Sequence, residues 1–293
     1  MTGASCPDPH ALRAGREFNR SDRRRLSAID VARTITLLAT QNTSWLSRIR
    51  GGTMATVYVD NAGVRLHARD NQRDGSGVPV LVVPGTGEEA DEYAWQLDAL
   101  GDRRVVIVDV RGRGRSDAPA SGYTWQHHYN DVLAVMAECG LRRPIMIGYS
   151  RGCPYAIGAA LHAREQVSGL VINDYQARHV GLPSAAVAPL CRMRIHGRTL
   201  AERMPLHAIE ALVEESEEVS LWERLHELAC PMLVIRGGRS GSVVDDAAAV
   251  RYRAAGVEVV TLPERGHGLW SHDIPSYLAV LTPFLAAVDR GGQ

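Results

Sequence analysis

The sequence lacks an excess of charge of either sign. Its 33 Lys and Arg residues balance its 33 Asp and Glu residues, so the formal net charge at neutral pH is zero. A strong overall field is what draws a protein to nucleic acid or to an anionic membrane, so we expect neither as a partner. Specificity is then expected to come from a local site that takes a small molecule.

Patterns typical of metal sites, disulfides and membrane spans are also missing. The 5 cysteines are odd in number and scattered, with no C-x-x-C spacing and no histidine at a metal-ligand offset. We therefore expect reduced thiols, no metal and a cytoplasmic location. No apolar run reaches the roughly 18 to 20 residues of a membrane span, so neither a membrane anchor nor secretion is expected.

The first part of the chain differs from the rest. Residues 1–53 are rich in Arg and Ser, with one helix predicted over about 27–40, and we expect a weakly ordered extension without chemistry of its own. From Met54 onward, two alternating segments predict a pair of antiparallel strands. Continuous apolar runs follow, separated by helical patterns, which predicts a mainly parallel sheet with helices on both faces.

One region interrupts the alternation of strand and helix. Residues 176–228 predict three or four helices and no strand, so we interpret them as a helical lid over the carboxyl ends of the strands. The predicted core is then formed by 54–175 together with 229–293.

A serine between two glycines stands where a strand is predicted to turn into a helix. In "PIMIGYSRGCPYAIGAA", Ser150 is flanked at two residues on either side by Gly148 and Gly152. A sharp strand-to-helix turn crowds the neighbouring backbone, and glycines relieve that crowding. Pro154 fits the first turn of the helix, where a missing N–H costs nothing. The pattern predicts a nucleophilic serine presented at a turn.

Three further segments are "LVVPGTGEEADEYAWQLDAL", "VVIVDVRGRGRSDAP" and "LPERGHGLW". They are similar, in this order, to the oxyanion loop, the loop after the fourth strand and the late histidine loop of one family. Together with the serine turn, they make the chain from about Met54 to Asp289 resemble an α/β-hydrolase-fold protein. The resemblance implies an eight-stranded, mainly parallel sheet, with the segments in the family's order.

The same resemblance implies roles for individual residues. His267 would be the general base for Ser150, with His272 as a fallback. The oxyanion hole would use the backbone N–H groups of Arg151 and Thr86. Where the family usually has His-Gly in the oxyanion loop, this chain has Pro84-Gly85, so the loop's anchoring is expected to differ.

The acid of the triad is the main departure from the family pattern. Most relatives carry it after the seventh strand, where this chain has Ser240 and Gly241. Asp174, at the end of the sixth strand, is the favoured acid. Asp245 or Asp246 is the alternative, although both fit better at the start of the next helix. A serine-histidine dyad is the third interpretation.

These expectations converge on a serine hydrolase without cofactor. It would cleave an ester, thioester, lactone or small amide through an acyl-enzyme on Ser150. One alternative is an acyltransferase that uses the same acyl-enzyme, and another is a descendant of the fold that binds a small molecule without hydrolysing it. The oligomeric state stays open.

Overall fold

One eight-stranded sheet organises the computed structural model, which describes residues 54–271 and 273–291. The predicted extension over 1–53, with its helix, and the fallback base His272 lie outside the described residues. The sheet and the helices that cover it confirm the predicted fold class.

The described strands are β1 (Ala55–Asn61), β2 (Val64–Asp70), β3 (Val80–Val83), β4 (Val105–Asp109), β5 (Ile145–Tyr149), β6 (Gly169–Asn173), β7 (Arg178–His179), β8 (Arg194–Ile195), β9 (Arg198–Thr199), β10 (Val219–Ser220), β11 (Met232–Gly237) and β12 (Glu258–Leu262). The described α-helices are α1 (Ala94–Ala99), α2 (Trp125–Glu138), α3 (Gly152–His162), α4 (Val187–Arg192), α5 (Leu206–Glu214), α6 (Asp246–Ala254) and α7 (Ile274–Gly291).

The main sheet runs in the order β1-β2-β4-β3-β5-β6-β11-β12. The pairs β1–β2 and β2–β4 are antiparallel, and all later pairs are parallel. The seventh and eighth strands of the main sheet are thus β11 and β12. Because β3, β5, β6 and β11 are adjacent and parallel, the loops that follow them meet at one edge.

Burial explains why the central strands could be predicted from apolar runs in the sequence. Every residue of β3, β4, β5 and β6 is buried, and separate apolar clusters pack on the two faces of the sheet. A strand that is covered on both sides has no need for alternating polar residues, so it appears in the sequence as an unbroken apolar run. Strand β1, in contrast, alternates between more and less exposed positions.

The segment 176–228 differs from its prediction in one respect. It contains α4, α5 and 3-10 turns, but also four two-residue strands, where no strand was predicted. β8 pairs with β9 through a turn at His196 and Gly197, whose φ angles are +46° and +83°. Positive φ at both central residues is what a tight two-residue hairpin requires. Strands this short carry no periodicity, so the sequence pattern could not reveal them.

The same segment has a small apolar core of its own. Leu200, Met204, Ile209 and Leu212 pack with Tyr123, which lies in the loop before α2. The strand β7 pairs with β10, so the two ends of the segment meet at its base. The division of the chain into extension, core and lid stays a prediction.

Across residues 54–271 and 273–291, no helix has both the length and the apolar character needed to cross a bilayer.

Candidate active site

Ser150 occupies a strained turn between β5 and α3. Its φ angle is +50°, a left-handed conformation that non-glycine residues rarely adopt. A Cβ on Gly148 would lie 2.6 Å from Cys153 Cα, and one on Gly152 would collide with the carbonyl oxygens of Val83 and Pro84. The two glycines therefore allow the serine turn to sit against both the helix and β3.

His267 lies in the loop between β12 and α7, directly beside Ser150. Its Nε2 is 2.9 Å from the Ser150 Oγ. The ring stacks on Tyr149, with 5.0 Å between the ring centroids, and the Tyr149 hydroxyl donates to the His267 carbonyl at 3.2 Å. Stacking and hydrogen bond together hold the imidazole over the end of β5.

Asp174 follows β6 and reaches the other side of the imidazole. Its Oδ2 is 2.8 Å from His267 Nδ1, and its side chain is fully buried. The backbone at Asp174 is also left-handed, with φ at +48°. The structure thus brings Ser150, His267 and Asp174 into one chain of hydrogen bonds.

Asp245 and Asp246 do not join this chain. The Asp245 carboxylate accepts from the Ala248 N–H at 2.7 Å and so caps the N-terminus of α6. Asp246 accepts from Arg236 at 2.5 Å, and its side chain is 91% exposed. Both occupy the helix start that the sequence suggested for them.

The loop after β11 contacts Asp174 with donors instead of supplying an acid. The Ser242 hydroxyl donates to Asp174 Oδ1 at 2.5 Å, and the Val243 N–H donates to Oδ2 at 3.1 Å. Sequence reasoning missed both residues. The run "GGRSGSVV" gave a signal, since a loop that lacks the usual carboxylate but is rich in small donors can serve a carboxylate that comes from the neighbouring strand.

The two N–H groups predicted for the oxyanion hole are both free to bind a ligand. Thr86 and Arg151 both lie in turns, outside the helices and strands. Within the described residues, neither backbone N–H donates a hydrogen bond to a protein acceptor. Both residues border the cavity beside Ser150.

Glu88 anchors the oxyanion loop through Gly85 and Tyr93. Its Oε2 accepts from the Gly85 N–H at 2.9 Å and from the Tyr93 hydroxyl at 2.5 Å. Burial, and next the Glu88 charge, raise the pKa of Tyr93 well above its ordinary value, so its hydroxyl keeps its proton and donates. Sequence reasoning expected different anchoring but did not identify this glutamate.

A cavity of about 440 Å³ opens over Ser150 and His267. Its apolar lining comes mainly from the segment 176–228, with Tyr149 and Tyr175 from the core. The lining residues are Thr86, Glu88, Tyr149, Ser150, Arg151, Tyr175, Val180, Leu182, Leu190, Met193, Arg194, Ile195, His196 and His267. The predicted lid thus forms one wall of the cavity.

The part of the chain that the structure describes contains no group of three or more His, Cys, Asp or Glu side chains placed to hold a metal ion. The expectation that the protein works without a metal or an organic cofactor stays a prediction.

Comparison with known proteins agrees with this architecture. The model of the alpha/beta hydrolase family matches residues 80–279. N-formylmaleamate deformylase of Pseudomonas putida is 24% identical, over 76% of this chain and 93% of its own length. 3-Hydroxybutyrate-oligomer hydrolase of Cupriavidus necator is 25% identical, over 77% of this chain and 94% of its own.

A solved structure shows the same fold. An esterase from Exiguobacterium antarcticum superposes with a TM-score of 0.66 at 20% identity, covering 79% of this chain and all of its own. Since the family model spans well over half of the sequence, this chain belongs to the alpha/beta hydrolase family and is an enzyme of that fold.

Proposed function

We propose that the protein is a serine hydrolase that forms an acyl-enzyme on Ser150. The observation that carries this proposal is the chain of hydrogen bonds from Asp174 through His267 to Ser150, with heavy-atom distances of 2.8 and 2.9 Å. A serine hydroxyl is a weak nucleophile on its own and requires a base within this reach.

In the proposed acylation, the orientation of His267 decides its role. Asp174 accepts a hydrogen bond from the Nδ1–H of His267, so Nε2 of the neutral ring carries the lone pair that takes the Ser150 proton. The serine oxygen adds to the substrate carbonyl, and the imidazolium then returns the proton to the leaving alcohol, thiol or amine. Water repeats the sequence on the acyl-enzyme and releases the acid.

The backbone N–H groups of Thr86 and Arg151 are proposed to bind the oxyanion of each tetrahedral intermediate. Their lack of acceptors in the described residues supports this role, since donors already paired in the resting protein would have to break a bond first. Glu88 keeps the loop that carries Thr86 in place through Gly85.

The proposed substrates are esters, thioesters, lactones or small amides. The relatives named above as a deformylase and an oligomer hydrolase support a hydrolytic reaction. The binding-protein alternative gains weight only if no carboxylate supports His267, and Asp174 Oδ2 lies 2.8 Å from His267 Nδ1, which argues against it. The acyltransferase alternative stays open.

Active-site labelling with a fluorophosphonate at neutral pH tests the proposal. We expect the wild-type protein to be labelled, and labelling to vanish in Ser150→Ala and His267→Ala. The matched control Ser76→Ala, an exposed serine far from the cavity, should label like the wild type. Folded wild-type protein that takes no label would overturn the proposal. Product analysis with and without an added alcohol acceptor then separates hydrolysis from acyl transfer.

A further inference from the structure

The side chain of Arg151 is a buried cation at the cavity. The residue is only 5% exposed, although it lines the cavity beside Ser150. Its Nε donates to the Tyr155 hydroxyl at 3.2 Å, and its Nη2 donates to His179 Nε2 at 2.9 Å and to the Val180 carbonyl at 3.0 Å. All three acceptors are neutral, so the guanidinium has hydrogen bonds but no counter-ion among them.

A second buried arginine, Arg113, adds a positive charge near Arg151. Arg113 donates to the Arg111 carbonyl and to His128 Nε2, and burial, with a smaller contribution from the Arg151 charge, lowers its pKa. Burial and the nearby arginines lower the pKa of His179 to about 4 and that of His128 well below its ordinary value, so both rings are neutral. Both histidine rings accept hydrogen bonds from the arginines, but a neutral ring does not balance the arginine charge.

The neighbouring buried arginine shows what a balanced site looks like. Arg111 forms a two-pronged pair with Asp131, with contacts of 2.6 and 2.8 Å. No described carboxylate lies within 4.0 Å of the Arg151 or Arg113 guanidinium. A buried charge without a partner costs several kcal/mol in general, and proteins rarely keep one without a use.

The remaining nitrogen of Arg151 is free for a ligand. Nη1 donates to no described residue. Arg151 is one of the residues that line the cavity. Glu88, the carboxylate on the cavity wall, is already taken by Gly85, Tyr93 and His196.

We infer that Arg151 binds a carboxylate carried by the substrate, so that the natural substrates are acid-bearing esters, lactones or amides. This inference rests on the proposed function and names its substrate class. The bound carboxylate would supply the counter-ion that the guanidinium lacks. Val180 and Leu182 of the same wall would pack against the carbon chain between that carboxylate and the scissile carbonyl.

Matched ester pairs test the inference by their ratio of kcat/KM. One pair places the charge on the acyl side, 4-nitrophenyl hydrogen glutarate against its methyl ester. The other places it on the leaving group, 4-acetoxybenzoate against its methyl ester. We expect the wild-type protein to prefer the charged member of one pair by about 10- to 100-fold, as a charge-assisted hydrogen bond predicts. Ser150→Ala protein supplies the background rate.

Substitutions then assign the preference to the side chain. Arg151→Met should bring the ratio close to one, and Arg151→Lys should keep part of it, since a lysine retains the charge but not the planar fork. The matched control is Arg178→Met, because Arg178 lies on β7 beside His179 but is exposed and faces Glu218. That variant should keep the wild-type ratio.

A binding measurement separates this inference from the proposed function. Glutarate, but not neutral glutaramide, should raise the melting temperature of Ser150→Ala protein, and the additional Arg151→Met substitution should abolish the shift. Wild-type protein that takes the fluorophosphonate label but prefers neither charged ester overturns the inference alone. Absence of both labelling and turnover overturns the proposed function, and the glutarate shift then decides the inference by itself. Should Arg151→Met fail to fold, the wild-type ratios and Arg151→Lys still decide it.

Discussion

The cavity has two walls, which different interactions hold in place. We call the wall that carries Ser150 and His267 the core wall, and the wall from residues 176–228 the lid wall. On the core wall, backbone hydrogen bonds to the central strands fix Ser150 and Asp174. The Ser150 N–H donates to the Asn173 carbonyl at 3.2 Å, and the Asp174 N–H donates to the Ile235 carbonyl at 2.8 Å. Strain at both residues is therefore opposed by the central strands of the sheet.

On the lid side, side-chain charges join residues 193–204 to the oxyanion loop. His196 pairs with Glu88 at 3.3 Å, and Arg203 pairs with Glu92 at 2.6 Å. Arg198 lies 3.3 Å from Glu89, at the exposed end of the row. Substitutions on the core wall should therefore alter the chemical step, whereas those on the lid wall should alter stability and substrate binding.

Removal of the Asp174 carboxylate should reduce catalysis more than any other substitution proposed for the core wall. Asp174→Asn removes the negative charge beside His267 and allows the wrong imidazole tautomer, so kcat on a 4-nitrophenyl ester should fall by about 10³- to 10⁴-fold. Asp246→Asn is the matched control, and its kcat should stay within about 2-fold because it loses only an exposed ion pair. A larger loss in the control than in Asp174→Asn would contradict the proposed role of Asp174.

The next effect concerns the buried anchor of the lid wall. Arg203→Met removes the guanidinium that pairs with Glu92 and donates to the Gly87 carbonyl, and the Arg203 side chain is only 2% exposed. Breaking such a pair should lower the free energy of unfolding by about 3 kcal/mol, measured by urea denaturation. The exposed Arg198→Met should cost less than about 1 kcal/mol. Equal losses in the two variants would show that burial does not distinguish these pairs.

The free energy of unfolding should depend on pH through His179, which accepts a hydrogen bond from Arg151. Burial and Arg151 depress its pKa to about 4 in the folded protein, against about 6.5 when unfolded. Between these values the unfolded chain binds more protons at this residue, so the His179 contribution to the free energy of unfolding falls by about 3 kcal/mol as the pH falls. Because the pKa of His128 is lowered as well and adds to the same slope, His179→Gln should reduce the slope without abolishing it, and an unchanged slope would refute the assignment to His179.

Loss of the Ser242 hydroxyl, which donates to Asp174, should have the smallest effect on kcat. Ser242→Ala removes one hydroxyl donor from Asp174, and kcat should fall by about 10-fold while KM stays constant. Ser240→Ala, an exposed serine of the same loop, is the control and should retain the wild-type kcat. If KM rises instead of kcat falling, Ser242 shapes the cavity rather than positioning the acid.

Residues that depend on local geometry were predictable from the sequence. The glycines around Ser150 relieve crowding within a few residues, and the buried strands show as apolar runs because both faces are covered. The tight hairpin at His196 and Gly197 is local as well, but its two-residue strands are too short to leave a pattern.

The fold class, the serine turn and the candidate base were predictable from the sequence, because each depends on neighbours along the chain. The folded chain places Asp174 beside His267 and Asp245 and Asp246 at the start of α6, and it leaves Arg151 without a described carboxylate within 4.0 Å. Hydrogen bonds and charge balance depend on which distant segments the sheet brings together. Asp174 meets Ser242 across 68 positions and His267 across 93, and no local pattern encodes those contacts.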